Sequence, residues 1–346
     1  MLFRSEFLRA SVIGKELVPQ GPAFDTIYFG GGTPSLLRPE SISEIIRECT
    51  SLFRVADSPE ITLEVNPATA TRPAFREIRL LGVNRVSLGI QSLNDDELLC
   101  MGRPHNASEA VSAFHDLRAA GFDNISVDLM AGFPGQTVKS VAGSMERVLD
   151  LQPENLSIYL LEVKLGTPLE ALIRDGNMPS HDEDLAADMY DYLCGEAARN
   201  GYEQYEISNF ARNGHYSRHN LKYWQDTIYF GFGAGAQGMT GTLRYANSES
   251  LQEYEDAICQ GRLPSASLTE LTPETRFKDA LIMGLRLCKG VDLRLLGERY
   301  GIDALAFVED TVGDLDHSGL FGFDGDTLFL THRGRLLSNV IFSRWV

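Results

Sequence analysis

Glu64, Gln91, Arg103 and Asp128 are the polar side chains whose types and placement could do chemistry together. Glu64 stands near the end of ITLEV (61–65), with Asn66 and Pro67 just beyond it. Gln91 follows RVSLGI (85–90), and Asp128 lies in NISVDLM (124–130). Three of the four therefore mark the ends of successive β-branched, apolar runs of strand character. Two carboxylates suit a ligand amine and ribose hydroxyls, and a guanidinium suits a carboxylate by bidentate pairing. Each residue alone reads better as a solvated or structural group. Their shared placement is what makes them a candidate binding set.

A second group is Gly30-Gly31-Gly32-Thr33-Pro34, directly after the strand-like run TIYFG (26–30) and ahead of a helical stretch. Without Cβ atoms, its N–H groups could approach an anionic or carboxylate ligand at a helix N-terminus, although a plain tight turn is the competing reading. The spacing is not G-x-G-x-x-G, which disfavours a dinucleotide site. A third group is His219-Asn220-Leu221-Lys222-Tyr223-Trp224, a histidine and two aromatics within six residues. It reads either as a packed loop with a hydrogen-bonded histidine or as an axial ligand beside a flat apolar platform, as a macrocycle needs. His215 is a rival ligand, and Glu203 and Glu206 read as solvated.

The five cysteines, at 49, 100, 194, 259 and 288, contain no C-x-x-C pair and no run able to hold zinc or an iron–sulfur cluster.

These groups need elements to position them. TIYFG, ITLEV, RVSLGI, NISVDLM and NLSIYLL (155–161) alternate with helix-compatible segments such as PESISEIIRECTSLF and SEAVSAFHDLRAAG. Such alternation is the signature of βα units with parallel strands, and in a β/α barrel the strand ends share one mouth. The expected fold is α/β, a partial, open β/α barrel over residues 1–265 whose first strand in the set, 26–30, lies at an open edge. Residues 163–201 read as a helical excursion with a capping box from Ser180 to Glu183. YEQYEISNF (202–210) reads as a further strand, followed by a Gly-rich turn at GFGAGAQG (231–238). Residues 266–346 read as a small winged-helix-like α+β domain with short helices and a hairpin at FDGDTLFLTHRGRLL.

Composition narrows the partners. The net charge of −17, from 31 basic against 48 acidic residues, opposes binding to a phosphate backbone, so nucleic acid is not an expected partner. In the final domain acidic residues again outnumber basic ones, leaving no basic face for DNA. No apolar run reaches the ~18 residues of a membrane span, which leaves only peripheral membrane association open. Arg4, Glu6, Arg9 and Lys15 interrupt any apolar core of a secretory signal, so the expected location is the cytoplasm.

The runs YFGGGTPSLL, LEVNP, GVNRVSLGIQS, MGRPH, DLMAGFPGQT, HNLKYW and GFGAGAQG, with LTHRGRLLSN near the end, resemble radical S-adenosylmethionine proteins related to oxygen-independent coproporphyrinogen III oxidase. The resemblance covers nearly the whole chain, and HNLKYW fits the H-N-x-x-Y-W motif associated with the heme-chaperone branch of that family. It implies a protein that binds heme and S-adenosylmethionine and delivers heme to recipient hemoproteins. The alternative it implies is a radical enzyme that decarboxylates coproporphyrinogen propionates. By the same resemblance Gly31, Gly32 and Thr33 cradle the methionine end of the nucleotide, with Glu64 and Arg103 nearby, and Gln91 and Asp128 hold the adenosine portion. His219, as candidate iron ligand, takes heme with Asn220, Tyr223 and Trp224; Cys194 and His215 are substitute ligands.

Family members also hold a [4Fe–4S] cluster on C-x-x-x-C-x-x-C, which this sequence lacks. Its opening, MLFRSEFLRASVIGKEL, has a helical stripe of Phe3, Phe7, Ala10 and Leu17 resembling the helix that follows that motif. The expectation is a cluster present only in a longer natural protein, with a paralogue that lost its cluster as the competing account. The chain as written is expected to hold no cluster and to carry no catalytic residue for radical chemistry, and a third reading is a cluster-free barrel that binds an adenosyl ligand without redox chemistry.

Overall fold

A seven-stranded sheet in the order β1-β2-β3-β4-β5-β7-β6 organises the chain. The computed structural model describes residues 23–312 and 319–346; the helical stripe expected over Phe3 to Leu17 lies outside the described residues. The five strands expected from the sequence form as β1 (Phe24–Phe29), β2 (Val55–Val65), β3 (Arg85–Gln91), β4 (Ile125–Ala131) and β5 (Asn155–Leu160). The neighbouring pairs β2/β3, β3/β4 and β4/β5 are parallel, and among the described residues β1 is an edge strand. The sheet is thus the open α/β arrangement that the sequence predicts. In β3 every residue from Arg85 to Ile90 is buried, as a central parallel strand covered on both faces requires.

Helices α1 (Pro39–Leu52), α2 (Arg72–Leu80), α3 (Asp95–Cys100), α4 (Ala107–Ala119) and α5 (Val138–Leu151) fill the crossovers. Their starts are written in the sequence: Asn94 caps α3, and Asn106 with Glu109 forms a full capping box on α4. Gly121, at φ +95°, turns the chain just after α4. The excursion holds α6 (Pro168–Arg174) and α7 (Glu183–Arg199). Here the cap differs from expectation. Asp182, not Ser180, accepts the Leu185 N–H at 3.0 Å, because its carboxylate sits at the N-cap itself.

The single strand expected over 202–210 is instead two short antiparallel ones, β6 (Glu203–Gln204) and β7 (Asn209–Ala211). Glu206 is the reason. Expected to be solvated, it is fully buried, and its carboxylate accepts the Ser208 N–H at 3.0 Å and the Asn209 side-chain amide, which folds the run into a turn.

Two compact units divide the chain. One comprises Ile27–Ile42 and Glu60–Tyr216, the body of the sheet. The other comprises the opening residues of β1 up to Thr26, Ser43–Pro59 and the described residues from Ser217 onward. The second unit carries α8 (Arg218–Trp224) and a small antiparallel sheet, β8 (Gln237–Met239), β9 (Leu243–Asn247) and β10 (Ser265–Glu270), which the sequence reading did not anticipate. Then come α9 (Leu251–Cys259), α10 (Pro273–Gly284), α11 (Leu293–Tyr300) and α12 (Ala304–Val312). A sheet of β11 (Val291–Asp292), β12 (Phe321–Asp324) and β13 (Thr327–Leu330) contains the expected hairpin, β12/β13.

Candidate functional site

The strand ends of the first unit surround a cavity of about 180 Å³ lined by Gly32, Glu64, Asn66, Ser87, Gln91, Asp128 and Tyr159 among others. Each group arrives by a local device. Glu64 is held at both oxygens: the Tyr28 hydroxyl donates to Oε1 at 2.8 Å and the Gly31 N–H donates to Oε2 at 3.1 Å. Gly31 and Gly32 adopt φ +80° and +64°, the left-handed region glycine tolerates. A Cβ on Gly30 would fall 2.6 Å from the Tyr28 ring and 3.0 Å from Glu64 Oε1. The glycine loop does not run straight into an α-helix. It enters a single 3-10 turn at Pro34–Leu36, ended where Leu37 takes an extended backbone (ψ 140°) before α1.

Thr33 Oγ1 accepts from Asn66 Nδ2 at 3.2 Å, and Asn66 Oδ1 in turn accepts from Arg103 Nη2 at 2.6 Å. Arg103 also donates to the Gly89 carbonyl at 3.1 Å. Gln91 closes β3 at φ +69°, unusual for a non-glycine residue, where the β3/β4 register also shifts. Asp128 accepts from Ser87 Oγ at 3.0 Å. Removal from water pushes its carboxyl up to about 7, the Glu64 charge adds to the rise, and the Ser87 hydrogen bond, Arg85 and Arg103 oppose it. Asn66, Ser87, Tyr28 and Tyr159 are site groups that residue type alone did not single out; for Asn66 the signal was its place directly after β2. His105 of MGRPH is a prop rather than a site group: buried, with Nε2 3.3 Å from the Ile90 carbonyl.

The chemistry of the cleft suits S-adenosylmethionine. It presents the Glu64 and Asp128 carboxyl groups around the void, with the Arg103 guanidinium held against Asn66 and Gly89 of its lining. Gln91 Oε1 and Arg103 Nε are buried there without a hydrogen-bond partner. A Cβ on Gly89 would approach Asn66 Oδ1 to 3.0 Å, so the bare backbone keeps that wall open. The cysteines fail the test for an iron–sulfur cluster. Cys49 is held as a thiol, its pKa pushed up to about 12 by burial; Cys194 is buried, and no group of three His, Cys, Asp or Glu able to hold a metal occurs among the described residues.

In the second unit HNLKYW forms most of α8, capped by Ser217, whose hydroxyl accepts the Asn220 N–H at 3.3 Å. Asp25 of β1 clamps the helix, accepting from Lys222 Nζ at 2.9 Å and Arg218 Nη2 at 3.1 Å. Both His219 nitrogens are engaged: Nδ1 lies 2.9 Å from Thr26 Oγ1, and Nε2 lies 2.9 Å from the Tyr223 hydroxyl. Tyr223 packs edge-on against Tyr229 at 4.7 Å between centroids, and Arg286 stacks over Trp224 at 4.5 Å. The Trp224 indole N–H is buried without an acceptor. An imidazole packed edge-on against the Tyr223 ring offers the nitrogen donor that a heme site needs. His215 and Cys194 fall in the first unit.

Residues 13–148 match the radical SAM superfamily, and residues 271–337 match the HemN C-terminal domain. The chain is 35% identical over 326 residues to the heme chaperone HemW of Bacillus subtilis (strain 168), covering 94% of this chain and 86% of that protein. It is 39% identical over 275 residues to the mitochondrial radical S-adenosyl methionine domain-containing protein 1 of Mus musculus, covering 77% of this chain and 62% of that one. Among solved structures, Escherichia coli coproporphyrinogen III oxidase (HemN), a radical SAM enzyme, aligns with a TM-score of 0.80 over 100% of this chain and 84% of its own. At 23% identity that likeness is one of fold.

Proposed function

Because the chain belongs to the radical SAM superfamily, in the family of the HemW heme chaperones, we propose that it binds heme through α8 and delivers it to recipient hemoproteins, with S-adenosylmethionine held in the cleft of the first unit. The observation that carries this reading is α8 itself, a helix of H-N-L-K-Y-W fixed by Asp25 with its histidine packed edge-on against Tyr223. Residue types and spacing that fit the heme-chaperone motif thus coincide with a nitrogen donor suited to iron.

For S-adenosylmethionine the division of labour follows from charge. Glu64, fixed by Tyr28 and Gly31, suits the ligand's ammonium, and Arg103 suits its carboxylate. Asp128 and Gln91, deeper in the cleft, suit the ribose hydroxyls and the adenine edge. Bound there, the ligand supplies a sulfonium whose substituents these groups hold and orient. The five widely spaced thiols of the sequence do not suit an iron–sulfur cluster. No helix among the described residues is long and apolar enough to cross a membrane. The acidic balance, −17 overall, disfavours nucleic acid as a partner.

The test is transfer. The chain loaded with heme and separated from excess is mixed with an apo-hemoprotein, and the recipient's spectrum is followed. The proposal expects the recipient to gain heme faster from the loaded chain than from heme bound to serum albumin. Equal rates would reduce the chain to a passive heme binder.

A further inference from the structure

An imidazole can present only one nitrogen to iron, and what the other nitrogen bonds to decides which. In α8 both nitrogens of His219 meet hydroxyls of different character, Thr26 Oγ1 at Nδ1 and the Tyr223 phenol at Nε2, each at 2.9 Å. A phenol is the better donor of the two and an alkyl hydroxyl the better acceptor. The consistent arrangement has Nδ1–H donating to Thr26 and the Tyr223 O–H donating to the Nε2 lone pair. Resting on the heme reading of this helix, we infer that Thr26 is a positioning residue that reserves Nε2 for iron, and that the Tyr223 hydroxyl is a latch occupying Nε2 until heme displaces it.

The latch is built rather than incidental. Tyr223 follows His219 by four residues, the spacing that brings side chains together on one helical face. Its ring stands edge-on to the imidazole at 5.3 Å and edge-on to Tyr229 at 4.7 Å, so ring packing would hold it in place without the hydroxyl. Thr26 belongs to β1, and its neighbour Asp25 pins the same helix through Lys222 and Arg218, so the distance from Thr26 to His219 is fixed at the helix as a whole. When heme enters, the Nε2 lone pair passes from the phenol O–H to the iron; the proton stays on Nδ1, still donating to Thr26 Oγ1, the phenol keeps its own proton, and no electron is transferred.

Ferric heme (hemin) is mixed by stopped flow with the full chain and with Tyr223→Phe, Thr26→Val, Thr26→Ser and His219→Ala variants, reading the Soret band for rate, affinity and ligation. Removing the latch should raise the association rate of Tyr223→Phe about 2- to 10-fold, the worth of one hydrogen bond, with the Soret position of the wild-type complex retained. Thr26→Val should lose about tenfold or more in affinity and Thr26→Ser should recover it, as for other groups that orient a metal-ligating histidine. If Tyr223→Phe binds no faster than wild type while His219→Ala loses the complex, the latch is wrong and the heme reading stands. If Thr26→Val keeps wild-type affinity and spectrum, the positioning role is wrong. If His219→Ala is itself indistinguishable from wild type, the heme reading beneath the inference fails.

Discussion

Arg103 Nη2 lies 2.6 Å from Asn66 Oδ1 and 3.1 Å from the Gly89 carbonyl oxygen. One guanidinium thereby joins the loop after α3 to the ends of β2 and β3, and Asn66 carries the restraint on to Thr33. The cleft is a connected frame, so losing one member disturbs residues it never touches.

Arg103→Ala should therefore weaken S-adenosylmethionine by more than the loss of one charge contact. About 10- to 100-fold is expected from a hydrogen-bonded charge removed from a partly buried site. Calorimetric titration of the ligand checks this, with Asn66→Ala as companion. Affinity unchanged in both variants would show that ligand does not occupy this cleft.

Gly30 and Gly31 should respond differently to alanine. At Gly30 a Cβ would collide with the Tyr28 ring and crowd Glu64, so the carboxylate loses its placement. At Gly31 nothing lies within 4 Å, and the cost is backbone strain at φ +80°, about 1 kcal/mol. Thermal melts and ligand titrations of the two variants should separate them: Gly31→Ala mildly less stable with binding largely kept, Gly30→Ala with binding lost.

The five parallel strands were legible because each is a short apolar, β-branched run bounded by turn residues, and Glu64, Gln91 and Asp128 were legible because they sit at or within those runs. Three parts were not. The β8–β10 sheet is short, and β10, SASLTE, is exposed along most of its length, so no apolar alternation marks it. The break between β6 and β7 depends on a buried carboxylate folding back on Ser208 and Asn209, a tertiary choice that strand propensity does not carry. Ser87 and Tyr159 lie inside strands that read as core, and only the parallel register turns them toward Asp128 and the void.

Asp128 gives the cleft a pH signature. Its folded-state pKa, pushed up to about 7, exceeds the unfolded value of 3.8, so between those limits the folded chain binds more protons than the unfolded one. Stability contributed by this group is fully present below pH ~4, declines as pH rises toward ~7, and is then flat. Asp128→Asn should remove that decline. Melting temperatures of variant and wild type should coincide near pH 4 and diverge, with the variant higher, by pH 8. A constant difference across the range would mean that the carboxyl titrates normally.

The central claim is that α8 is where heme binds, and a hemin titration of His219→Ala beside wild type tests it most directly. The account predicts one heme per wild-type chain, and for the variant a weaker complex with a displaced Soret band, whether or not His215 is also replaced by alanine. A variant that matches wild type in stoichiometry, affinity and spectrum would contradict it and return HNLKYW to the role of a packing helix.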